Sequence, residues 1–596
     1  MITFNSTVQK SLHLTKQYFF HSDEKTIAWL LLIGAVISIL LIAGCTFLLT
    51  WFSTLMWTAL YMTNLALFLH SSLLFSFSLI GVITAFITKQ YCSDYLGSRW
   101  RKWAILQYTD KYLDKKRYLS LERTAQQIDN PAQRIQEDLK SFVDLTLQLS
   151  LDFLHSSIRI GLFVGVLWVV GGALSISLFG LSLTIPGYLV WCAILFSLLG
   201  NFLTHKIGQV LSKLTNQKKQ LEADLRKELE FVRGESENIA QLQAESWHKQ
   251  KILDKNNAIY ANSNQKINTQ TKISIFQNFY LQATSYIPLI ATAPLIFLNK
   301  FPINQLGQVI GAFVEIQSGF SWFATSYPKL MDYQTSISRL SALDEALHAF
   351  DKPTANEQIK FQNRASNQPI EVKHVNLTTP TSTQHILRGI DLTFKPGETV
   401  LIKGDSGLGK SSLFKVLANT WAYGKGEVSL PQLKHTFFLS QQPLIPHASL
   451  RAVLAYPEPE NTYPDAAYTR ALEAVGGLDA LINQLDTQAA WYDRLSGGEK
   501  QRIAFCRVLL KKPKWLFMDE STSALDAKHE QKIYQLLRNE LKETTFISIT
   551  HNASVNAFHD RILFLKKDAE GQVTILESQH SLNDGEINLT QKDMAC

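Results

Sequence analysis

The sequence predicts a multi-domain chain: an all-α transmembrane domain of about six helices in residues 1–335, a linker at 336–369, and an α/β domain at 370–596. Three observations carry this reading. Residues 1–330 hold several long apolar runs with few charges. From Ile370 the pattern changes to short β-type runs separated by turns. Within that part, Val400-Leu401-Ile402 leads into Gly404-Asp405-Ser406-Gly407-Leu408-Gly409-Lys410-Ser411-Ser412, and a helical-looking stretch, Leu413 to Leu417, follows. Strand, glycine loop and helix is the context a phosphate-binding loop needs.

In the apolar half, residues 1–26 are a polar lead-in that can lie along a membrane surface. The first run, about Ile27–Thr50, is longer than a signal-peptide core and reads as a retained span. Trp51 to His70 has interleaved polar residues and is either an amphipathic surface helix or an extension of its neighbours. Spans two to six are expected at about Ser71–Lys89, Leu149–Leu174, Ile185–His205, Ile275–Leu298 and Leu306–Tyr327. A short loop around Leu178–Pro186 separates the third from the fourth. Long polar helical segments run from Tyr91 to about Leu147 and over about 206–272.

Basic residues orient the spans. Segment 96–147 carries ten Lys and Arg and segment 206–272 carries twelve, whereas 51–70 and 171–186 carry none and 299–305 has only Lys300. The positive-inside rule places both long segments, both termini and the phosphate-loop domain in the cytoplasm. The net charge of +7 follows from these loops and does not form a nucleic-acid patch. The five cysteines are scattered, without metal-ligand spacing, and read as reduced and structural. Glu315 is the clearest ionisable residue at membrane depth. It is a functional candidate or one side of a helix–helix hydrogen bond. Asp152, His155 and Arg159 recur at helical spacing and read as an interfacial ion-pair cluster at the cytoplasmic end of span three.

The second half adds chemistry around the glycine loop. Its backbone N–H groups can converge on phosphate oxygens, Lys410 can reach the β- and γ-phosphates of ATP, and the Ser411 hydroxyl can ligate Mg²⁺. Phe437-Phe-Leu-Ser-Gln441 is a strand ending in a glutamine that can touch Mg²⁺. Ala466–Leu485 is helix-rich and fits a helical subdomain. Ser496, Gly497 and Gly498 open a helix whose free N–H groups suit a γ-phosphate. Trp515-Leu-Phe-Met-Asp519-Glu520 is an apolar strand ending in two carboxylates, Asp519 for Mg²⁺ and Glu520 to polarise the attacking water. Ser523-Ala-Leu-Asp526 follows, and His551 stands after another apolar strand, placed to contact the γ-phosphate.

These features in this order resemble the ATP-binding cassette family over essentially all of 370–565. The six spans with two long helical extensions resemble its exporter-type membrane domain. Val375-Asn-Leu-Thr-Thr-Pro380 offers Thr379 where many such cassettes place an adenine-stacking aromatic residue. That variant, together with Trp100-Arg-Lys-Trp103 and Asn130-Pro-Ala-Gln-Arg134-Ile-Gln-Glu-Asp138, resembles the peroxisomal D-subfamily half-transporters and their bacterial relatives with an SbmA/BacA-type membrane domain. The resemblance implies a homodimer, since Ser496 completes a site only across from another chain's phosphate loop. It implies an ATPase that moves a bulky hydrophilic or amphipathic solute, peptide, cobalamin-like or acyl-CoA-like, across a bacterial inner membrane. A lipid or drug exporter and an ion-coupled permease regulated by its cassette are the alternatives.

Overall fold

The computed structural model describes residues 2–121, 130–178, 181–297, 301–349, 358–379, 385–567 and 573–579. Lys300, Pro380, Cys596 and residues 350–357 of the expected linker lie outside them. The chain divides into two compact units, Met1–Leu113 with Ile128–Leu347, and Asp114–Gln127 with His348–Cys596.

The first unit is helical: α1 (Ile2–His21), α2 (Lys25–Tyr61), α3 (Leu65–Leu113), α4 (Leu139–Gly171), α5 (Tyr188–Gly234), α6 (Glu245–Phe297) and α7 (Leu306–Ala349). α2 has 37 residues and α3 has 49, both longer than the ~20 that span the hydrocarbon. Trp51 to His70 is therefore an extension of its neighbours, broken only at Met62–Asn64. There Thr63 takes a positive φ, and the Asn64 side chain accepts from Leu67 N at 3.1 Å. The polar segments likewise continue the spans as helix: α3 runs on to Leu113, α5 to Gly234, and α6 starts at Glu245.

Four of the described helices are long and apolar enough to cross a membrane: Lys25–Tyr61, Leu65–Leu119, Pro131–Gly171 and Glu245–Phe297. In α5 the apolar stretch is Tyr188–Thr204, and α7 carries Gln308, Glu315 and Gln317 near its start. α2 exposes Leu30, Ile33, Ile37, Leu40 and Leu41 while burying Ala28, Ala35, Ser38, Ile39 and Ile42. The exposed residues form one apolar face suited to lipid, and the small Ala28, Ala35 and Ser38 pack inward beside Ile39 and Ile42.

The short loop expected between spans three and four is a β-hairpin. Strands β1 (Ala173–Leu178) and β2 (Leu181–Pro186) pair antiparallel. Leu-Ser-Ile-Ser-Leu and Leu-Ser-Leu-Thr-Ile alternate with period two, which a count of total apolarity overlooks. α4 ends accordingly at Gly171, and Gly172 adopts φ +60. Asn130-Pro131 opens the helical run that precedes α4, with Asn130 as cap and Pro131 at the first helical position. Trp100, 1% exposed, stacks on Tyr18 at 5.4 Å and meets Phe19 edge-on, so the Trp100–Trp103 stretch seats α1.

Glu315 does not stand alone. Both the Arg159 Nε and a terminal guanidinium nitrogen donate to one Glu315 oxygen, joining α4 to α7. Asp152 accepts from the Lys89 ammonium of α3 at 3.1 Å. The expected cluster is thus two cross-helix pairs, made by Asp152 and Arg159, and His155 takes part in neither. Between α3 and α4 lies a cavity of about 500 Å³ lined by Lys89, Asp94, Ser98, Arg101, Asp144 and Gln148 among others.

Among its described residues the second unit holds two larger sheets, besides a two-stranded pairing of Ala448–Ser449 with Gln488–Ala489. Strands β3 (Lys360–Arg364), β4 (Ile370–Thr378), β5 (His385–Phe394) and β7 (Gly424–Pro431) form one in the order β3-β7-β4-β5. The other contains β6 (Thr399–Gly404), β8 (Thr436–Leu439), β9 (Trp515–Asp519), β10 (Thr545–Ile549), β11 (Arg561–Lys567) and β12 (Val573–Gln579), in the order β12-β11-β6-β10-β9-β8. All its pairings are parallel except β11 with β12. Its strands β6, β9 and β10 are apolar runs buried on both faces, as the middle of a parallel sheet requires. Phe438 stacks on Phe517 at 4.3 Å, with Phe414 of the helix α8 (Lys410–Leu417) edge-on to it.

Asp114–Gln127 belongs to this second unit although the sequence places it between spans. Lys116 Nζ donates to Asn419 O at 2.9 Å and to Ala418 O at 3.4 Å, just past the end of α8. A cation there meets the negative end of the helix dipole. Burial lowers the Lys116 pKa from the ordinary lysine value.

Candidate nucleotide site

The sheet order brings the site together. β6, β10, β9 and β8 are consecutive neighbours and parallel. Their carboxyl ends therefore place the glycine loop, His551, Asp519 with Glu520, and Gln441 along one edge, where ligands of open α/β sheets bind. Four stretches separated by up to about 150 residues of sequence meet because adjacent strands lie ~4.8 Å apart.

The glycine loop joins β6 to α8. Gly404 adopts φ +148, and a Cβ there would stand 2.5 Å from Leu565 O of β11. Gly409 adopts φ +88, with Ile386 Cγ2 2.8 Å from where its Cβ would be. Both positions need glycine for conformation and for space. Leu408 is buried beneath the loop, while Asp405, Ser406 and Gly407 are exposed; Ser412 follows in α8. Lys410, 7% exposed, points its ammonium at Gly404 O (2.6 Å) and Asp405 O (2.8 Å). The loop carbonyls thus hold a cation where a phosphate entering the loop would meet it, beside the N-terminus of α8.

Ser411 Oγ lies 3.4 Å from Asp519 Oδ1. Burial, with the neighbouring Glu520 charge adding to it, raises the Asp519 pKa above the usual carboxylate value. A hydroxyl and a carboxylate oxygen set side by side suit a hard divalent cation. Glu520 ends the strand in the left-handed region at φ +46, a conformation that costs of order 1 kcal/mol or more. Its N–H is held by Ile549 O at 2.9 Å and its carbonyl by Ser523 N at 3.1 Å. The turn brings Glu520 Oε1 to 3.2 Å from His551 Nε2. Gln441 is exposed beyond β8, and its carbonyl accepts from Gln501 at 3.2 Å.

Ser496 caps the helix α9 (Gly497–Lys511) in a full capping box. Glu499 N donates to Ser496 Oγ at 3.3 Å, and Ser496 N donates to Glu499 Oε2 at 2.8 Å. The pattern Ser496-Gly-Gly-Glu499 announces this box, a signal the sequence reading passed over. The Ser496 backbone N–H and then its hydroxyl hold the Glu499 carboxyl below its ordinary pKa. Ser496 and Gly497 are exposed, and among the described residues no hydrogen bond joins Ser496 to the glycine loop of its own chain. Asp526 caps the helix α10 (Ala527–Glu540), accepting from His529 N at 2.8 Å. Thr379 directly follows β4 and supplies no ring; Trp421 Nε1 donates to the neighbouring Thr378 O at 3.2 Å.

Two buried residues escaped the sequence reading. Gln501, 2% exposed, donates to Gln441 O and to Ser523 Oγ, each at 3.2 Å, and accepts from Ala524 N at 3.0 Å. Arg507 donates to Val453 O at 2.8 Å and to Leu444 O at 2.7 Å, fixing the stretch after Gln441. Burial pulls the Arg507 pKa down to about 10. The four described cysteines are free, and burial pushes the Cys506 thiol up to about 12, as expected for an inert packing residue.

A helical membrane unit followed by one α/β nucleotide-binding unit of this geometry defines the ATP-binding cassette half-transporters, and this chain is one of them. Residues 14–297 match the family described as ABC transporter transmembrane region 2, and residues 387–523 match ABC transporter. Among its relatives is the inner membrane ABC transporter ATP-binding protein YddA of Escherichia coli, 29% identical over 93% of this chain and 97% of that protein. The human lysosomal cobalamin transporter ABCD4 is 25% identical over 80% of this chain and 81% of its own length. A bacterial Atm1-family ABC exporter solved with ATP bound shares the fold at a TM-score of 0.67 and 19% identity, over 91% of this chain and 94% of that one. The chain is thus a membrane-bound, ATP-hydrolysing transporter.

Proposed function

We propose that the transported solute is bulky and hydrophilic or amphipathic, of a peptide, cobalamin-like or acyl-CoA-like kind. The observation that carries this is the cavity between α3 and α4: about 500 Å³, with Lys89, Arg101, Asp94, Asp144 and Asp152 among its walls. Charged walls of both signs suit a polar cargo and do not suit a lipid tail. The naming of a D-family relative as a cobalamin transporter is consistent with this. Glu315, a carboxylate at membrane depth of the kind an ion-coupled permease would use, is engaged by Arg159. In proteoliposomes, hydrophilic peptides, cobalamin or acyl-CoA are expected to stimulate ATP turnover. Arg101→Ala should raise the concentration of solute needed. Stimulation by lipids or apolar drugs alone, with none by the polar series, overturns the reading.

The protein works as a homodimer, with ATP sandwiched between the glycine loop of one chain and Ser496, Gly497 and Gly498 of the other. Ser411, Asp519 and Gln441 would hold Mg²⁺, which supplies positive charge against the phosphate oxygens. Glu520 polarises water, and His551 contacts the γ-phosphate. Closure and reopening of the cassettes drive alternating access. The seat of Lys116 on Ala418 and Asn419 supports the segment after α3 as one conveyor of that motion. The site lies in the cytoplasm beneath a bacterial inner membrane, the two domains being 1–335 and 370–596. In a background without native cysteines, Thr63→Cys should react with an impermeant thiol reagent on intact cells and Lys219→Cys only after permeabilisation. The opposite pattern reverses the orientation.

A further inference from the structure

Glu530, in the first turn of α10, is fully buried and belongs to none of the motifs above. Its two oxygens accept from three donors. Thr522 Oγ1 donates to Oε1 at 2.6 Å, and Asn552 Nδ2 and Ser554 Oγ donate to Oε2 at 2.8 and 3.2 Å. Thr522 stands two residues after Glu520, and Asn552 directly follows His551. One buried carboxylate therefore ties together the two chain segments that present Glu520 and His551, whose side chains meet at 3.2 Å. The far side of the Glu520 segment is held separately, by Gln501 on Ser523 and Ala524. Glu520 itself sits at φ +46, so its segment has a conformational incentive to relax if it is not held.

We propose that Glu530 is a positioning residue for ATP hydrolysis: it fixes where Glu520 stands relative to His551 and leaves nucleotide binding to the glycine loop. The chemistry of the contact defines the test. Glutamine can reproduce all three hydrogen bonds, its carbonyl accepting from Asn552 and Ser554 and its amide donating to the Thr522 hydroxyl, which turns to accept. Alanine reproduces none and leaves the buried Thr522 hydroxyl without its acceptor.

The experiment uses full-length protein in lipid nanodiscs, measuring kcat and KM for ATP together with thermal unfolding. Glu530→Ala should lower kcat by about ten-fold or more, with KM for ATP within about two-fold, because misplacement of a reacting group acts on the chemical step and not on binding. Glu530→Gln should restore kcat to within about three-fold of the unaltered protein. Thr522→Val, which removes only the contact on the Glu520 side, should lower kcat by about three- to ten-fold, and it decides the matter if the alanine variant does not fold. Unaltered kcat in Glu530→Ala or Thr522→Val overturns the proposal. So does equal damage to kcat and KM that glutamine does not rescue, which would make Glu530 a fold-maintaining residue only. Glu520 as the water-polarising group is tested separately by its own substitution, so failure of either reading is visible without the other.

Discussion

Glu520→Gln is expected to bind ATP normally and to hydrolyse it at least ~10²-fold more slowly, the loss associated with removing a general base. The expectation follows from what the substitution leaves unchanged. Glutamine matches glutamate in size, so the strand end, the Glu520 N–H to Ile549 O bond and the turn into Ser523 persist. Lys410, Ser411 and Asp519, the groups proposed to hold phosphate and metal, keep their positions. The acceptor at 3.2 Å from His551 becomes a neutral amide, which cannot take a proton from water. Turnover by purified protein, with nucleotide affinity measured in parallel, separates the two effects. A near-normal rate would remove Glu520 from its role. Lost affinity would instead mean that the substitution disturbs the loop.

The parts of this site that the sequence discloses are those whose chemistry is local. The glycine loop, the strand ending in Asp519-Glu520 and the helix opening at Ser496 each put their essential atoms within a few consecutive residues, so spacing alone reveals them. The parts it conceals are set by tertiary neighbours. Gln501 and Glu530 are polar residues inside helices, and no periodicity distinguishes a polar residue facing water from one buried among loops. The Arg159–Glu315 pair spans 156 residues of sequence, and each partner alone reads as an isolated charge at membrane depth. Span counting by apolarity blurs where polar helices continue apolar ones, as α3 does past Lys89. It also missed the hairpin at Ala173–Pro186, whose signal is alternation and not total hydropathy.

A mixed dimer built from two inactive chains is expected to regain ATPase activity that neither parent shows. The observation behind this is the separation of the two half-sites within one chain. The Ser496 end of α9 is exposed, hydrogen-bonded within its own capping box and, among the described residues, not to the glycine loop. Lys410→Ala removes the cation seated on Gly404 O and Asp405 O, so phosphate loses its counter-charge. Ser496→Arg puts a long side chain across the N–H groups of the helix end and removes the cap, worth about 1 kcal/mol. On the shared-site reading each variant alone would form homodimers in which both sites carry a lesion, and both should be inactive. Co-expressed with different tags and purified through both, the mixed dimer has one doubly damaged site and one whole site. The whole site joins the Lys410 of the Ser496 variant to the Ser496 of the Lys410 variant. If each chain hydrolysed ATP with its own residues alone, mixing would restore nothing. Unaltered protein paired with Lys410→Ala is the control, since that dimer also keeps one whole site. An active control beside an inactive two-lesion dimer would show that the site is not shared between chains.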